Sequence, residues 1–215
     1  MTAYSDNIDR LRQRLSRPLP GFAAQERMMG RVIPHPPQVP ENARLSAVMC
    51  LLYPDNSGLH MLLMRRMEDG KAHSGQVSFP GGRKDPEDLT LLDTALRETR
   101  EEVGIDRTHI DVLGALTSLY IPVSNFNVFP FVGFTAARPA MNISVDEVSY
   151  TIETPLSYLL NDANKTVADV SSPAAPGIIR NVRAYRLPDD GIIWGATAMM
   201  ISELEVILKE IGGEW

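Results

Sequence analysis

Apolar and polar residues recur along the chain with two periods, which together predict a mixture of strands and helices. Runs rich in apolar, β-branched or aromatic residues predict strands, and apolar residues spaced by three and four positions predict amphipathic helices. The first two predicted strands flank the turn residues 55–58, so they are placed to form a hairpin. Pro130 implies that the strand containing it is an edge strand or is irregular. The predicted strands cover residues 45–53, 59–65, 110–118, 125–134, 181–187 and 192–194, and the predicted helices cover residues 5–15, 156–160 and 196–211.

Two segments show neither period and are expected to be irregular. Residues 18–40 contain six prolines and two glycines, which predicts an extended tether after the first helix. Residues 161–177 are rich in Ser, Ala, Pro and Asp, which predicts a long loop. We therefore expect residues 1–43 to be a helix and tether packed on one domain that spans residues 44–215.

A longer helix is predicted in the middle of the chain. Asp85 and Pro86 suit an N-cap and the first helical position, and Gly104 suits the left-handed residue that ends a helix. Between these ends, apolar residues recur at an interval of about 3.6 and form a stripe suited to packing against a core. The stripe consists of Leu89, Leu92, Leu96 and Val103.

Three glutamates of this helix, Glu98, Glu101 and Glu102, are related by spacings of three and four residues. They are expected to lie together, roughly opposite the apolar stripe. Like charges at this spacing repel each other and weaken a helix. A hard divalent cation would relieve the repulsion, because Mg²⁺ prefers oxygen ligands and is usually shared between a few carboxylates and substrate phosphates. The spacing therefore indicates a metal-binding face.

Residues 97–105, RETREEVGI, resemble the second half of the Nudix hydrolase signature. The general form of that signature is G-x5-E-x7-R-E-U-x-E-E-x-G-U, in which U is an apolar residue. Thr99 is the one departure within this half, where the signature has an aliphatic residue. The resemblance implies an α/β fold, a Nudix-type α/β/α sandwich with a mixed central β-sheet, and a metal-dependent pyrophosphohydrolase.

The first half of the signature departs further. Gly82 and Arg97 are one residue further apart than in the general pattern. The position of the early glutamate, at its register, holds Leu89, and Asp88 or Glu87 is the nearest substitute. The role of an early acid is therefore open, whereas the three later glutamates match.

The residues upstream of the helix are similar to a second motif, L-L-T-x-R-[SA]-x3-R-x3-G-x3-F-P-G-G, which marks the coenzyme A pyrophosphatase branch of the same family. Residues 62–82 keep its spacing throughout, but Met64, Met67 and Lys71 replace Thr, Ser or Ala, and Arg. The extra residue after Gly82 is also typical of that branch. The resemblance implies that Mg²⁺ or Mn²⁺ supports hydrolysis of coenzyme A or its derivatives to 3′,5′-ADP and 4′-phosphopantetheine.

The same resemblance assigns roles to individual side chains of the helix. Glu98 and Glu102 are the expected metal ligands, with Glu101 as a third ligand, directly or through water. One of these glutamates, or Glu147 on an acidic segment after the core strands, would accept the proton of the attacking water. Arg97 is expected to orient a glutamate through a charge-assisted hydrogen bond rather than to contact substrate.

Four residues upstream of the helix are expected to approach the substrate. Arg66 and Lys71 are expected to contact phosphate, where Lys71 offers a point charge in place of the bidentate fork of an arginine. Gly81 and Gly82 let the backbone pass close to the helix and to a ligand, because they carry no Cβ.

The net charge and the cysteine content of the chain limit which partners and which cellular setting are expected. The formal net charge of −6 argues against a broad nucleic-acid-binding surface, but a small phosphorylated ligand can bind through a metal. The single cysteine, Cys50, cannot form a disulfide within the chain and favours a reduced, cytoplasmic setting. The start of the chain is too polar for a signal peptide, and no apolar run approaches ~20 residues, so no membrane span is expected.

Two other functions fit the same residues. The departures at Met64, Met67 and Lys71 leave room for another nucleoside diphosphate derivative, such as a nucleotide sugar or a dinucleotide. A Nudix-like ligand sensor without turnover is a further alternative, although such proteins usually lose glutamates from the helix and this chain keeps three. The sequence leaves the oligomeric state open, a homodimer included.

Overall fold

The computed structural model describes residues 4–30, 35–68, 70, 73–172, 175–189, 191–213 and 215 of the chain. The α-helices are α1 (Ser5–Leu15), α2 (Phe22–Gln25), α3 (Leu91–Val103), α4 (Leu156–Leu159) and α5 (Gly195–Ile211). The strands are β1 (Arg44–Asp55), β2 (Gly58–Arg66), β3 (Val77–Ser78), β4 (Gly81–Arg83), β5 (Asp111–Ala115), β6 (Leu119–Ile121), β7 (Phe126–Phe134), β8 (Val148–Pro155), β9 (Lys165–Ser172), β10 (Ala175–Arg186) and β11 (Ile192–Trp194). None of the helices in these parts of the chain is long and apolar enough to cross a membrane.

A mixed sheet with the order β3-β2-β1-β7-β5 forms the centre of the molecule, and β4, β6 and β8 pair with β1, β7 and β2. The pairing of β1 with β7 is parallel, and the other pairings of this sheet are antiparallel. Helix α3 packs on one face of the sheet, and α5 packs on the other together with α1. The expected α/β/α sandwich with a mixed central sheet is therefore confirmed.

Strand β1 is buried on both faces, which explains its nearly continuous apolar sequence. Met49 and Leu51 belong to the apolar cluster that includes residues of α3, whereas Cys50 and Leu52 belong to the cluster that includes residues of α5. The hairpin predicted for β1 and β2 is present. The centre of the sheet is thus fixed by apolar packing on two sides.

Pro130 lies inside the sheet and not on an edge strand. Strand β7 pairs with β1 on one side, and on the other side its partner changes from β5 to β6 around Pro130. The carbonyl of Pro130 accepts the N–H of Leu116 in the link between those two strands. The sequence therefore correctly predicted an irregularity here, and the alternative of an edge strand is wrong.

The segment 161–177 contains a strand and is not a long loop, although residues 173 and 174 lie outside the described residues. Strands β9, β10 and β11 form a second, antiparallel sheet. The register of β9 and β10 shifts twice, between Ala175 and Ile178 and between Ile179 and Val182. Each shift breaks the period of two from which a strand is recognised, and this is why the sequence pattern missed the hairpin.

The segment 18–40 is more ordered than the extended tether that its prolines suggest, although residues 31–34 lie outside the described part. It contains α2 and a short 3₁₀ turn at Glu26–Met28. Ala24 and Met28 are buried, so this segment contributes apolar contacts. The division of the chain at residue 43 stays a prediction.

A buried carboxylate on α5 organises this N-terminal segment. Glu203 has no exposed surface and accepts hydrogen bonds from the backbone N–H of Gly21 (2.9 Å) and the side-chain amide of Gln25 (3.0 Å). It also accepts the hydroxyl (2.6 Å) and the N–H (3.2 Å) of Thr117. These polar contacts offset the cost of burying a carboxylate, and they hold residues that a proline count alone predicts to be irregular.

Helix α3 begins later than the sequence suggested. Asp85 and Pro86 open a turn in which the N–H of Asp88 donates to the carbonyl of Asp85 (3.1 Å). Aspartate and proline suit the first two positions of such a turn as well as they suit the start of a helix. The N-cap is Thr90, whose hydroxyl accepts the N–H of Asp93 (3.1 Å), while the Asp93 carboxylate accepts the N–H of Thr90 (3.1 Å). This capping box satisfies two backbone donors, the N–H groups of Thr90 and Asp93, and so fixes the start of the helix at Thr90.

Thr90→Ala is expected to lower the free energy of unfolding by roughly 1 kcal/mol, because the first turn of α3 loses its cap. Asp85→Ala is the matched control. Asp85 is exposed, and its ion pair with Arg97 is long, at 3.7 Å, so it contributes little to stability. Urea unfolding of both variants measures the two losses. An equal or larger loss for Asp85→Ala would place the effective cap at residue 85.

Candidate active site

Glu102 is buried where the last turns of α3 meet β4. Its side chain is 1% exposed. One carboxylate oxygen accepts the backbone N–H of Gly81 (2.7 Å), and the other accepts Nη1 of Arg66 from the end of β2 (2.8 Å). Gly81 has φ +154°, and a Cβ there would overlap the backbone of Ala47 and Val48. The glycine therefore allows β4 to lie close against β1, in the position from which the N–H of Gly81 reaches Glu102.

Burial raises the pKa of the Glu102 carboxyl to about 7, and the charge of Arg66 and the N–H of Gly81 only partly oppose this rise. The charge of Glu98 adds to it. A carboxylate in this position is held ready for a cation, because its charged form lacks the hydration that it has in water.

Glu98 lies one turn earlier on α3 and faces Gly82. A Cβ at Gly82 would overlap its carboxylate, so the second glycine provides the space in which that group lies. Burial raises the pKa of Glu98, the adjacent Arg97 guanidinium lowers it, and the charges of Glu101 and Glu147 raise it further. Glu98 is thus partly desolvated and surrounded mainly by other carboxylates.

Arg97 donates through all five of its N–H groups. Nε and Nη2 bind the two carboxylate oxygens of Asp88 (3.0 and 2.9 Å), and Nη2 also binds the carbonyl of Arg83 (3.1 Å). Nη1 binds the carboxylates of Glu98 (3.0 Å) and Glu101 (2.9 Å). Because every donor has an acceptor within the protein, this guanidinium positions two glutamates and has no N–H left for a phosphate.

Asp88 was only one of two substitutes that the sequence offered for an early acid, and the structure distinguishes them. Besides its fork with Arg97, its carboxylate accepts the N–H of Asp85 (3.0 Å) and the hydroxyl of Thr94 (2.9 Å). The Arg97 guanidinium is the main cause that holds the pKa of Asp88 below its usual range. Asp88 is therefore the anchor of Arg97. Counting six residues forward from Gly82 would have found it, whereas counting eight back from Arg97 gives Leu89.

The sequence suggested that the three glutamates lie opposite the apolar stripe, but Glu102 and Glu98 do not, and only Glu101 is exposed. Glu102 is buried beside Val103 on the packed side of α3, and Glu98 lies at its edge. Leu89, which was assigned to the stripe, precedes the helix and is 91% exposed. Thr99, where an aliphatic residue was expected, is fully buried and donates its hydroxyl to the carbonyl of Ala95 (2.7 Å), so the helix itself satisfies that group.

Glu101 and Glu147 complete the group at its exposed rim. The Glu101 side chain is almost half exposed and is held by Arg97. The loop that carries Glu147 is tied to the site by its backbone, because Ser144 donates its N–H to the carbonyl of Glu102 (3.0 Å) and the carbonyl of Glu147 accepts the N–H of Met67 (2.9 Å). The structure thus brings Glu147 into the electrostatic range of Glu98, although 49 residues separate them in sequence.

Lys71, the second residue expected to contact phosphate, lies outside the described residues. Arg66 is described, and its guanidinium binds Glu102. Gly81 and Gly82 lie where the motif suggested, against the acidic residues of α3. The sequence therefore identified the members of this cluster, but not the pairing of Arg66 with Glu102.

The donor set suits a hard divalent cation, although the described residues hold no ready-made site of three or more His, Cys, Asp or Glu side chains. Guanidinium groups lie against the carboxylates: Arg66 on Glu102, and Arg97 on Glu98 and Glu101. Carboxylate oxygens are the ligands that Mg²⁺ and Mn²⁺ prefer. Burial is the main cause of the raised pKa values of Glu98 and Glu102, and the adjacent guanidinium groups oppose it only in part, so the residues present fit such an ion.

Comparison with known proteins identifies the class. A model of the NUDIX domain matches residues 43–153, and the chain belongs to the Nudix family. It is 34% identical over 154 residues to the Uncharacterized Nudix hydrolase NudL of Pectobacterium atrosepticum, a match that covers 70% of this chain and 76% of the relative. A protein of the same name from Yersinia pestis is 38% identical over 145 residues, which cover 67% of this chain and 70% of the relative. The protein is therefore a pyrophosphohydrolase of the Nudix class, whose members generally need divalent metal ions.

A solved structure supports the fold. The MutT/nudix family protein from Enterococcus faecalis matches 97% of this chain and 76% of its own chain with a TM-score of 0.52. At 16% sequence identity, this likeness bears on the architecture alone.

The metal-free protein is expected to lose stability as the pH rises from about 4.5 to about 7. Glu102 has a pKa of about 7 in the folded state against 4.5 in a model peptide, so the folded state holds this proton more tightly. The contribution is fully present below the lower value and is lost as pH passes the higher one, by up to roughly 3 kcal/mol. Urea unfolding in EDTA across this range, compared with Glu102→Gln, measures it. Parallel profiles for the two proteins would show that burial does not shift this carboxyl group.

Gly82→Ala is expected to fold normally and to lower hydrolysis of diphosphate substrates by about 10²-fold, because a misplacement of about 1 Å at a catalytic group has an effect of this size. The three atoms nearest to the new Cβ all belong to the carboxylate at the movable end of Glu98. Gly30→Ala is the control, since its Cβ would meet Val182 at an ordinary 3.5 Å. Circular dichroism checks folding, and initial rates check turnover. Full activity in Gly82→Ala would contradict the placement of Glu98.

Proposed function

We propose that the protein hydrolyses the pyrophosphate bond of coenzyme A or its derivatives, with Mg²⁺ or Mn²⁺, to yield 3′,5′-ADP and 4′-phosphopantetheine. The observation that carries the hydrolytic part is the pair of desolvated carboxylates, Glu98 and Glu102, held against Gly81 and Gly82. The choice of coenzyme A rests on the motif that spans residues 62–82.

Glu98 and Glu102 would hold the cation, with Glu101 as a third ligand directly or through water. The ion, when bound, would neutralise the oxygens of a diphosphate and acidify water. The protein supplies the geometry: Gly81 fixes one oxygen of Glu102, and Arg97 fixes Glu98 and Glu101 relative to each other.

Glu147 is our candidate for the base that removes the proton from the attacking water. Its exposed carboxylate lies at the rim of the cluster, and its charge acts on Glu98. Glu98 and Glu101 are held by Arg97, and Glu102 by Gly81 and Arg66. Within the described part of the chain these contacts do not involve the exposed Glu147 carboxylate, so we propose it as the base, a role that contributes about 10²–10⁴-fold to turnover.

Arg66 and Lys71 would bind the phosphates of the substrate. Arg97 would act as a positioning residue, because its donors are already used. A cytoplasmic location accords with the single cysteine, Cys50, which is buried in the core. The homodimer remains a hypothesis that measurement of the mass in solution would test.

The second candidate substrate is another nucleoside diphosphate derivative, such as a nucleotide sugar or a dinucleotide. Departures from the coenzyme A motif favour this second substrate, but not every departure lies near the substrate site. Met64 is fully buried in the cluster beneath α3, so its replacement of Thr affects core packing. Met67 lies beside Glu147 at the rim, and its exchange can alter the substrate site. A sensor without turnover would not need the three retained glutamates.

A panel of coenzyme A, nucleotide sugars and dinucleotides, incubated with Mg²⁺ or Mn²⁺ and examined by mass spectrometry, tests the substrate. We expect coenzyme A to be cleaved to 3′,5′-ADP and 4′-phosphopantetheine, and Glu98→Gln to lower the rate by at least about 10²-fold. Glu87→Gln is the matched control, because it removes an exposed carboxylate near α3. Cleavage of another diphosphate but not of coenzyme A would assign the second candidate, and full turnover in Glu98→Gln would refute the site.

A further inference from the structure

The two arginines of the site differ in how firmly they are held. Arg97 has an acceptor for each of its five N–H groups. The guanidinium of Arg66, by contrast, has a single acceptor among the described residues, the Glu102 oxygen 2.8 Å from Nη1, and its side chain is 32% exposed. Arg66 is therefore held by one ion pair, whereas Arg97 is held by a closed network.

The backbone of Arg66 is fixed while its side chain is not. Its N–H donates to the carbonyl of Gln76 (3.0 Å), and its carbonyl accepts the hydroxyl of Ser149 (3.4 Å). Any movement of the guanidinium is therefore a rotation of the side chain from a fixed point at the end of β2. An arginine side chain has enough length and rotamer freedom for such a movement.

The two contacts of the Glu102 carboxylate differ in charge: one is with a backbone N–H and the other is with a guanidinium. The N–H of Gly81 binds one oxygen from the side of β4. The guanidinium occupies the other oxygen, which is the place for positive charge on this carboxylate. A divalent cation on the same oxygen would be repelled by a guanidinium in contact with it, and this repulsion favours displacement of the guanidinium.

We propose that Arg66 is a displaceable counter-ion, which neutralises Glu102 in the metal-free protein and is released to the substrate's phosphate when a divalent cation takes the carboxylate. The inference rests on the proposed function, because it assumes that Glu102 is a metal ligand. It explains how one residue can be both the partner of a buried glutamate and a phosphate-binding group. It also couples the two events, since the cation that prepares the site makes the guanidinium available to an anion.

Binding of Mn²⁺ without substrate tests the exchange directly. Wild type, Arg66→Gln and Arg65→Gln, as full chains, would be titrated with Mn²⁺ by calorimetry at about pH 8.5, where the Glu102 carboxyl is ionised. Arg65 is the matched control, because its replacement removes the same charge at a neighbouring position, and its side chain is 35% exposed and pairs with Glu68 instead of Glu102. We expect Arg66→Gln to bind Mn²⁺ roughly tenfold more tightly, a coupling of ordinary size between two groups that share a site. Arg65→Gln is expected to stay within about twofold of wild type.

The second half of the exchange is tested with methylenediphosphonate, a diphosphate analogue that cannot be hydrolysed. In the presence of saturating Mn²⁺, Arg66→Gln is expected to bind it about tenfold more weakly than wild type, whereas Arg65→Gln is expected to bind it normally. Arg66→Lys, which keeps the charge, serves if Arg66→Gln fails to fold, and should give intermediate affinities for both ligands.

Unchanged or weaker Mn²⁺ binding in Arg66→Gln, with Mn²⁺ bound by wild type, would overturn the inference and leave the proposed function standing, because Arg66 would then be a permanent partner of Glu102. Tighter Mn²⁺ binding without loss of the diphosphonate would overturn the release to phosphate. Wild type that binds no Mn²⁺ at all would overturn both the inference and the metal site on which the proposed function depends.

Discussion

The site depends on a carboxylate that is held out of water. Glu102 is almost fully buried between α3 and β4, and an isolated ionised group in such a place is very unfavourable. The structure compensates with the N–H of Gly81 and the guanidinium of Arg66. The contact with Gly81 requires β4 to lie close against β1, which a side chain at Gly81 would prevent. Three parts of the chain therefore meet at the Glu102 carboxylate: the Gly-Gly turn, the end of β2 and the last turns of α3.

A second group of charges surrounds Arg97 and has a different purpose. Asp88 takes two of its donors through a bidentate fork, which leaves Nη1 to hold Glu98 and Glu101 at a fixed separation. The turn that carries Asp88 ends where the Thr90 cap begins α3, so the start of the helix and the orientation of its acids are linked. Arg97 thus contributes rigidity, while Arg66 contributes a charge that can be exchanged.

The sequence predicted those features that depend on residues close together along the chain. Gly104 ends α3 in the left-handed conformation, φ +75°, as its position in the sequence indicated. Asp85 misled, because an aspartate before a proline fits a turn as well as a helix cap, and only the capping box at Thr90 decides between them. The pairing of Arg66 with Glu102 joins residues 36 positions apart, and no spacing along the chain reports such a contact. The hairpin of β9 and β10 was missed for a related reason, since its bulges erase the alternation that defines a strand.

Charge balance explains why an acidic protein can accept an anionic substrate. Five carboxylates, those of Asp88, Glu98, Glu101, Glu102 and Glu147, share the described site with the guanidinium groups of Arg66 and Arg97. Burial raises the pKa of Glu98, the guanidinium of Arg97 lowers it, and the charges of Glu101 and Glu147 raise it further. A divalent cation at Glu98 and Glu102, the ligands of the proposed function, would reduce the excess negative charge where the diphosphate is proposed to bind. In the proposed function, the cation would therefore balance the excess negative charge of the site before the substrate approaches.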